Sequence, residues 1–145
     1  MIASSFSEII LRDLEKFKEE IRLFPEDHLW TVQGEIKNSA GTLALHLTGN
    51  LKHFIGAVLG NTGFVRQRDK EFSDKTISKE TLLAGLDETA VIVKKTLSEL
   101  TDEQVMQIYP LEKFKEASTT LFVLTHLTAH LNYHLGQVNY LRRMN

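Results

Sequence analysis

Two histidines near the C-terminal end of the sequence have the spacing of a metal-binding pair. His130 and His134 are four residues apart within a strongly helical pattern, so both imidazoles lie on one face of a helix, one turn apart. The paired histidines of the H-E-x-x-H motif bind a zinc ion with this spacing. Two ligands hold a metal only loosely, and a functional site therefore needs a third ligand from another part of the chain.

A third imidazole is available on a second predicted helix. His46 and His53 are seven residues apart there, and His126 extends the C-terminal pair into a stripe of three. Because each stripe borders the apolar seam of its helix, we expect the two stripes to face each other. A third ligand from helix two, either His46 or His53, would then complete a three-histidine site with His130 and His134 and leave an open water position, the arrangement typical of catalytic zinc. His53 and His126 are expected to support these ligands, and either one could still be a fourth ligand.

Other polar residues have weaker claims to the site. Asn50 lies one turn after His46 and can hydrogen-bond a bound water or a substrate. Gln137 can orient the His134 ring, although an ordinary interhelical hydrogen bond is the more common role of such a residue. Gly136 is expected to allow close approach of a neighbouring helix. Arg66, Arg68 and Asp69 could clamp a substrate, but charged loop residues are more often simply solvated. His28 lies in a loop and is expected to be structural.

The composition is that of an ordinary globular protein. The 145 residues are 42% hydrophobic and 25% charged, and we expect residues 1–145 to form one domain. With 17 basic and 19 acidic residues and no basic stripe, the chain is not expected to bind nucleic acid. The absence of cysteine excludes disulfides, thiolate ligands and a cysteine nucleophile. The sequence shows neither a signal peptide nor an apolar run of membrane-spanning length, so we expect a cytoplasmic protein without membrane contact.

Helical periodicity runs through most of the sequence, and no segment alternates in the way that a strand does. Residues 61–77 are polar and charged and are expected to form a long crossover loop, since short loops join antiparallel neighbours. The pattern therefore predicts an all-α fold, a four-helix bundle with a long crossover between helices two and three. The predicted helices span residues 5–23, 39–59, 78–100 and 118–143.

Capping residues support these helix boundaries. Asn38 or Ser39 is the expected N-cap of helix two, and Ser78 that of helix three. Gly60 is the expected C-terminal stop of helix two. The segment 101–104 has the form of a capping box and predicts one short additional turn.

The histidine pattern resembles that of the DinB-like (damage-inducible) superfamily of small four-helix metalloproteins. Members carry one histidine in helix two and an H-x-x-x-H-x-G-Q ending in helix four. His46 and the segments YHLGQ at 133–137 and YLRR at 140–143 carry the match. Residues 46–56 and 66–72, together with Leu29-Trp30, also look like one DinB-like subfamily. The similarity covers essentially the whole chain.

The resemblance implies a divalent metal, often zinc or nickel, held by His46, His130 and His134 at one end of the bundle. Some relatives are transferases or isomerases that use a low-molecular-weight thiol, and many have no assigned activity. Tyr133 and Leu135 stand where many relatives have a histidine and an arginine. A substrate role for that basic residue is therefore not implied here. The ligand type alone does not select the metal, since imidazole suits zinc, nickel, copper and iron alike.

Three neutral imidazoles leave the full charge of a divalent ion in place, which lowers the pKa of a bound water or thiol. The predicted chemistry of an enzyme is therefore attack of a thiolate or hydroxide on a small electrophile. No acidic residue lies on the histidine stripes, which favours thiol addition over peptide hydrolysis, since hydrolysis normally needs a carboxylate base. The alternative is a non-catalytic protein whose metal staples two helices or signals to a partner. A closed site with four protein ligands would indicate that alternative.

Two kinds of partner follow from these expectations. An enzyme of this type would act on a small-molecule thiol and an electrophile. Small bundles commonly pair through an exposed apolar helix face, and we expect a homodimer, although the sequence does not say which face is used.

Overall fold

The protein is described by a computed structural model that covers residues 1–111 and 116–145. Within these ranges the chain forms helices and no β-strand, with one isolated antiparallel bridge between Ile108 and Thr119. The all-α prediction is therefore confirmed. The helices are α1 (Ile2–Leu23), α2 (Ala40–Leu51), α3 (Arg68–Ser73), α4 (Lys79–Glu99), α5 (Asp102–Met106) and α6 (Thr120–Met144).

Four long helices form the bundle. Helix α1 packs against α4 and α6, and α2 packs against the same two helices from the other side. Each helix contributes one apolar stripe to a shared core, as the sequence periodicity predicted. None of the described helices has the length and apolar character needed to cross a lipid bilayer. Fully buried residues of the core include Leu14, Phe17, Leu47, Leu51, Leu86, Val93, Leu127 and Leu131.

Helix α2 does not end as a regular α-helix. After Leu51 it continues through a π-helical stretch, Lys52–Ala57, and a last α-helical turn, Val58–Gly60. The left-handed residue that terminates it is Asn61, with φ of 50°, and not the expected Gly60. Gly60 instead allows close packing, because a Cβ there would lie 2.5 Å from the Thr96 Oγ1 atom.

The predicted N-caps are confirmed. Ser39 and Ser78 each accept a hydrogen bond from the backbone N–H three residues later. Thr101 and Gln104 form a complete capping box at the start of α5. The starts of two helices differ slightly from the predicted positions 5 and 118. Helix α1 begins at Ile2, and α6 is capped by Thr119 and begins at residue 120.

The predicted crossover loop contains a helix of its own. Helix α3 lies within residues 61–77 and packs against α2. The short helix carries Glu71 into the protein, where its side chain is buried, while Arg68, Asp69 and Lys70 remain exposed. The charge-rich sequence indicated a solvated loop, but two of its charges, those of Arg66 and Glu71, pair with each other and are largely shielded from solvent.

Candidate metal centre

Three imidazoles from α2 and α6 converge on one point. The Nε2 atom of His130 lies 3.1 Å from that of His46 and 3.0 Å from that of His134. The ring planes of His46 are close to perpendicular to both partners, at 80° and 89°. His46 is buried, whereas the other two are half-buried. The structure thus brings the three residues into a single cluster between α2 and α6.

The outer nitrogens of two rings have acceptors that orient them. His46 Nδ1 donates to Glu71 Oε1 at 3.1 Å, and His134 Nδ1 donates to Gln137 Oε1 at 2.7 Å. With the proton on Nδ1, each ring turns an Nε2 lone pair toward the cluster centre. The Arg66 Nη2 atom also lies 3.4 Å from His46 Nδ1. We assign the proton of His46 to Nδ1, because the contact with the Glu71 carboxylate is shorter than the contact with Arg66. An ionised acceptor also makes the stronger hydrogen bond.

Glu71 is itself held by a two-point ion pair. Arg66 donates from Nε to Oε2 and from Nη2 to Oε1, each at 2.8 Å, and the two side chains are only 11% and 8% exposed. Burial raises the pKa of Glu71, but the hydrogen bonds and charges of His46 and Arg66 lower it more, so that the pKa lies below that of a free glutamate. The carboxylate is therefore ionised and engaged on both oxygens.

The protonation of His134 also suits metal binding. Burial lowers the pKa of His134 below the usual value, and a protonated His46 would act in the same direction, while the hydrogen bond with Gln137 opposes them. The neutral imidazole is the form that binds a metal ion.

Aromatic side chains surround the cluster. The Phe72 ring lies 5.1 Å from the His46 ring, and the Arg68 guanidinium lies 5.0 Å above Phe72. Tyr133 contacts His134 at 5.4 Å between ring centroids. His126 stacks on His130 at 6.2 Å with its ring nearly parallel.

The other predicted residues fall outside the cluster. Among the described residues, His46, His130 and His134 form the group whose possible ligand atoms all lie within 4.8 Å of one another. Neither His53 nor His126 belongs to this group. Asn50 is buried beside the site on α2, and its Oδ1 atom accepts no hydrogen bond within the described protein. Arg66 is engaged by Glu71 and is not available as a substrate clamp.

The expected role of Gly136 is wrong. A Cβ atom built at this position meets nothing within 4 Å, so no neighbouring helix approaches it closely.

Sequence reasoning missed Glu71, the residue that orients His46. The two are separated by 25 positions, and Glu71 belongs to a charged segment that differs little from a solvated loop. The usable signal was Phe72, an aromatic residue that directly follows the polar and charged run 66–71. It indicates that one side of that segment packs against the bundle.

Comparison with protein families gives a match over nearly the full length. The family model described as "Protein of unknown function (DUF1572)" matches residues 5–145. The chain belongs to the DUF1572 family. No curated protein matches the sequence of this DUF1572 member.

Solved structures show that this DUF1572 protein has the DinB-like fold, as its sequence indicated. A DinB-like protein from Bacillus cereus ATCC 10987 superposes with a TM-score of 0.74 at 21% identity, covering 97% of this chain and 91% of that one. A conserved protein from Enterococcus faecalis gives a TM-score of 0.78 at 18% identity, covering 97% and 94%. A DinB-like protein from Bacillus subtilis gives 0.73 at 17% identity, covering 97% and 91%.

Proposed function

We propose that the protein binds one divalent cation through the Nε2 atoms of His46, His130 and His134 and uses it in chemistry with a small thiol. The observation that carries the proposal is the convergence of these three atoms, with separations of 3.0 and 3.1 Å along the cluster. In the tautomers set by Glu71 and Gln137, the Nε2 atoms of His46 and His134 are unprotonated, and a cation bound between them would also be within reach of an unprotonated His130 Nε2 atom. Zinc and nickel are the metals we favour.

The surrounding residues support a ligand role. Metal-binding histidines commonly donate their other ring nitrogen to a carboxylate or carbonyl, which fixes the ring and raises its basicity. Glu71 accepts from His46 in this way, and Gln137 accepts from His134. These contacts leave the Nε2 atoms of both rings directed at the shared point.

The ligand set supports a site with an exchangeable position. Three histidines without a fourth ligand among the described residues are typical of catalytic centres, whereas structural zinc has four protein ligands. A divalent ion held there would stabilise the anionic form of a nucleophile and polarise an electrophile. The two histidines of α6 are half-buried, so a small molecule can reach the cluster from solvent.

The positions of the carboxylates favour a thiol over hydrolysis. Glu71 contacts the outer nitrogen of His46 and is paired with Arg66, so it faces away from the Nε2 cluster. It positions His46 and cannot act as a base at the open side of the centre. A thiol, with a pKa of about 8.5 for free cysteine, loses its proton far more readily than water and needs less assistance from a base. We therefore propose a thiol-dependent transferase or isomerase acting on a small electrophile.

Metal analysis tests the ligand assignment directly. The wild-type protein, His46→Ala and His134→Ala are each incubated with excess Zn²⁺ or Ni²⁺, desalted, and measured by inductively coupled plasma mass spectrometry. We expect about one equivalent in the wild type and a large loss in both variants, with helical circular dichroism preserved. His28→Ala, outside the three-histidine group, is the control and should keep the wild-type metal content. Equal metal content in all four proteins would contradict the proposal.

We also propose that the protein is a homodimer, on the general tendency of small bundles to pair. Light scattering coupled to size-exclusion chromatography measures the mass directly, and a monomer of 16.5 kDa at working concentration would contradict it.

A further inference from the structure

A wide apolar groove is lined in part by Tyr133 and Gln137, two residues that contact His134, although none of the three histidines lines it. It runs between residues 35–38 and the C-terminal half of α6, and its volume is about 690 Å³. This volume is within the range of roughly 300–1,000 Å³ found for small-molecule sites. Its apolar and aromatic walls include Ile36, Leu43, Tyr133, Tyr140, Leu141 and Met144.

The groove shares two residues with the surroundings of the cluster. Gln137 lines the groove and accepts the hydrogen bond from His134. Tyr133 lines it as well and packs its ring on His134. A molecule in the groove would therefore contact the residues that contact a proposed ligand.

Gly136 supplies an independent indication of function. Glycine within a helix lowers stability relative to alanine, and here no neighbour requires it, since a Cβ would enter open space. Gly136 lines the groove, so its missing side chain enlarges this space. A residue that weakens its helix without a packing reason is expected where a site must stay open.

The apolar side chains of the groove are uncovered. Tyr133, Tyr140 and Met144 are 65%, 67% and 61% exposed, and Lys37 and Asn38 add polar groups to the lining. Aromatic rings of this kind pack on aliphatic and aromatic bodies while their hydroxyls stay solvated.

We propose that this groove binds the aliphatic or aromatic body of a small molecule whose reactive end reaches the three-histidine centre. The inference rests on the proposed function, because it assigns the substrate class of that centre. The groove thus selects an apolar reactant, and the histidines act on its polar end.

The first experiment tests the groove without any metal. The fluorescent probe 1-anilinonaphthalene-8-sulfonate is titrated into metal-free wild type, Gly136→Leu and Ala84→Leu. Leucine at 136 fills open space, whereas Ala84 is exposed on α4 and serves as the matched control. We expect saturable binding to the wild type and the control, and at least about tenfold weaker binding to Gly136→Leu. Equal binding by all three proteins would overturn the groove assignment.

The second experiment tests the connection to the centre. The Co²⁺-loaded proteins are titrated with linear thiols from ethanethiol to hexanethiol, and the sulfur-to-cobalt charge-transfer absorption reports binding. In the wild type and Ala84→Leu, affinity should rise by up to about fourfold for each methylene that enters the groove. Gly136→Leu should bind ethanethiol normally and show a flat dependence on chain length. A flat dependence in the wild type would overturn the inference while leaving thiol binding at the centre intact.

Two further outcomes distinguish the proposals. If no thiol gives a charge-transfer band with the Co²⁺-loaded wild type, the proposed thiol chemistry fails, and the substrate class assigned to the groove fails with it. If light scattering shows that the wild type is a dimer and Gly136→Leu a monomer, the groove is covered by a second copy of the chain, and the small-molecule inference is overturned.

Discussion

The carboxylate of Glu71 lies directly against the bare backbone of Gly49. A Cβ atom at Gly49 would come within 2.0 Å of Glu71 Oε2 and 2.6 Å of its Cδ. Gly49 is three residues after His46 on α2, and Glu71 approaches from α3 to accept the hydrogen bond from that histidine. The missing side chain at 49 is therefore what allows the acidic residue to reach the ring.

Gly49→Ala should weaken metal binding without removing a ligand. The new methyl group displaces Glu71, so that His46 loses the acceptor that fixes its ring and tautomer. Loss of such an outer contact typically lowers metal affinity by about 10- to 100-fold. Competition with a chromophoric zinc chelator measures the change.

Gly85→Ala is the matched control for this substitution. A Cβ at Gly85 would lie 3.7 Å from the Thr48 side chain, an ordinary contact. Metal affinity should equal that of the wild type, and the helix should gain stability of about 0.5–1 kcal/mol. Reduced affinity in both glycine variants would show that the effect at Gly49 is not specific to Glu71.

Glu71→Gln should lower both metal affinity and stability. The neutral amide is a weaker acceptor for His46, and it leaves the Arg66 guanidinium, 11% exposed, without its counter-charge. Breaking a buried pair by removing one partner costs about 3–5 kcal/mol. Urea unfolding measures the free energy of unfolding of Glu71→Gln, Arg66→Met and the double variant. If the two residues stabilise each other as a buried pair, the double variant should lose less stability than the two single variants lose together.

Glu88→Gln tests whether loss of any acidic residue has the same effect. Glu88 pairs with Lys52, but its side chain is 66% exposed. Exposed pairs contribute little to stability, and neither urea unfolding nor metal affinity should change appreciably. A loss as large as that of Glu71→Gln would point to overall charge and not to the buried pair.

The helices and the ligand triad were predictable because their signals are local. Apolar spacing defined the four long helices, side-chain caps at Ser39 and Ser78 defined the starts of two of them, and Thr101 defined the start of the short α5. That a histidine of helix two would meet His130 and His134 followed from the expectation that stripes bordering two apolar seams face each other, and the choice of His46 over His53 followed from the DinB-like resemblance. The helix boundaries and each histidine stripe need only the identity of residues within a few turns.

The parts that were not predictable depend on contacts between distant segments. Whether Glu71 is solvated or buried is decided by the pairing with Arg66 and by the space above Gly49, and neither can be read from the polar stretch alone. Gly136 is the opposite case. A glycine at this position of the sequence indicated that a neighbouring helix packs closely. Only the surroundings in the folded protein show that Gly136 faces open space instead.

Tyr109→Phe should destabilise the protein while leaving metal binding unchanged. The buried Tyr109 hydroxyl donates to the Phe54 carbonyl oxygen at 2.7 Å, within the π-helical stretch. Burial raises the pKa of this tyrosine, so the hydroxyl remains a donor across the accessible pH range. Loss of the bond should lower the free energy of unfolding by about 1 kcal/mol, measured by urea denaturation. Tyr140→Phe, at a residue that is 67% exposed, should change it little.

Gly136→Ala and Gly41→Ala should have opposite effects on thermal stability. At 136 a methyl group enters open space, and relief of the glycine penalty should raise the free energy of unfolding by about 0.5–1 kcal/mol. At 41 the methyl group would lie 2.7 Å from the Trp30 ring, so the indole must move and the protein should lose stability. Differential scanning calorimetry of the two variants compares them under the same conditions. A decrease in melting temperature for Gly136→Ala would show that the space at this position is not open in solution.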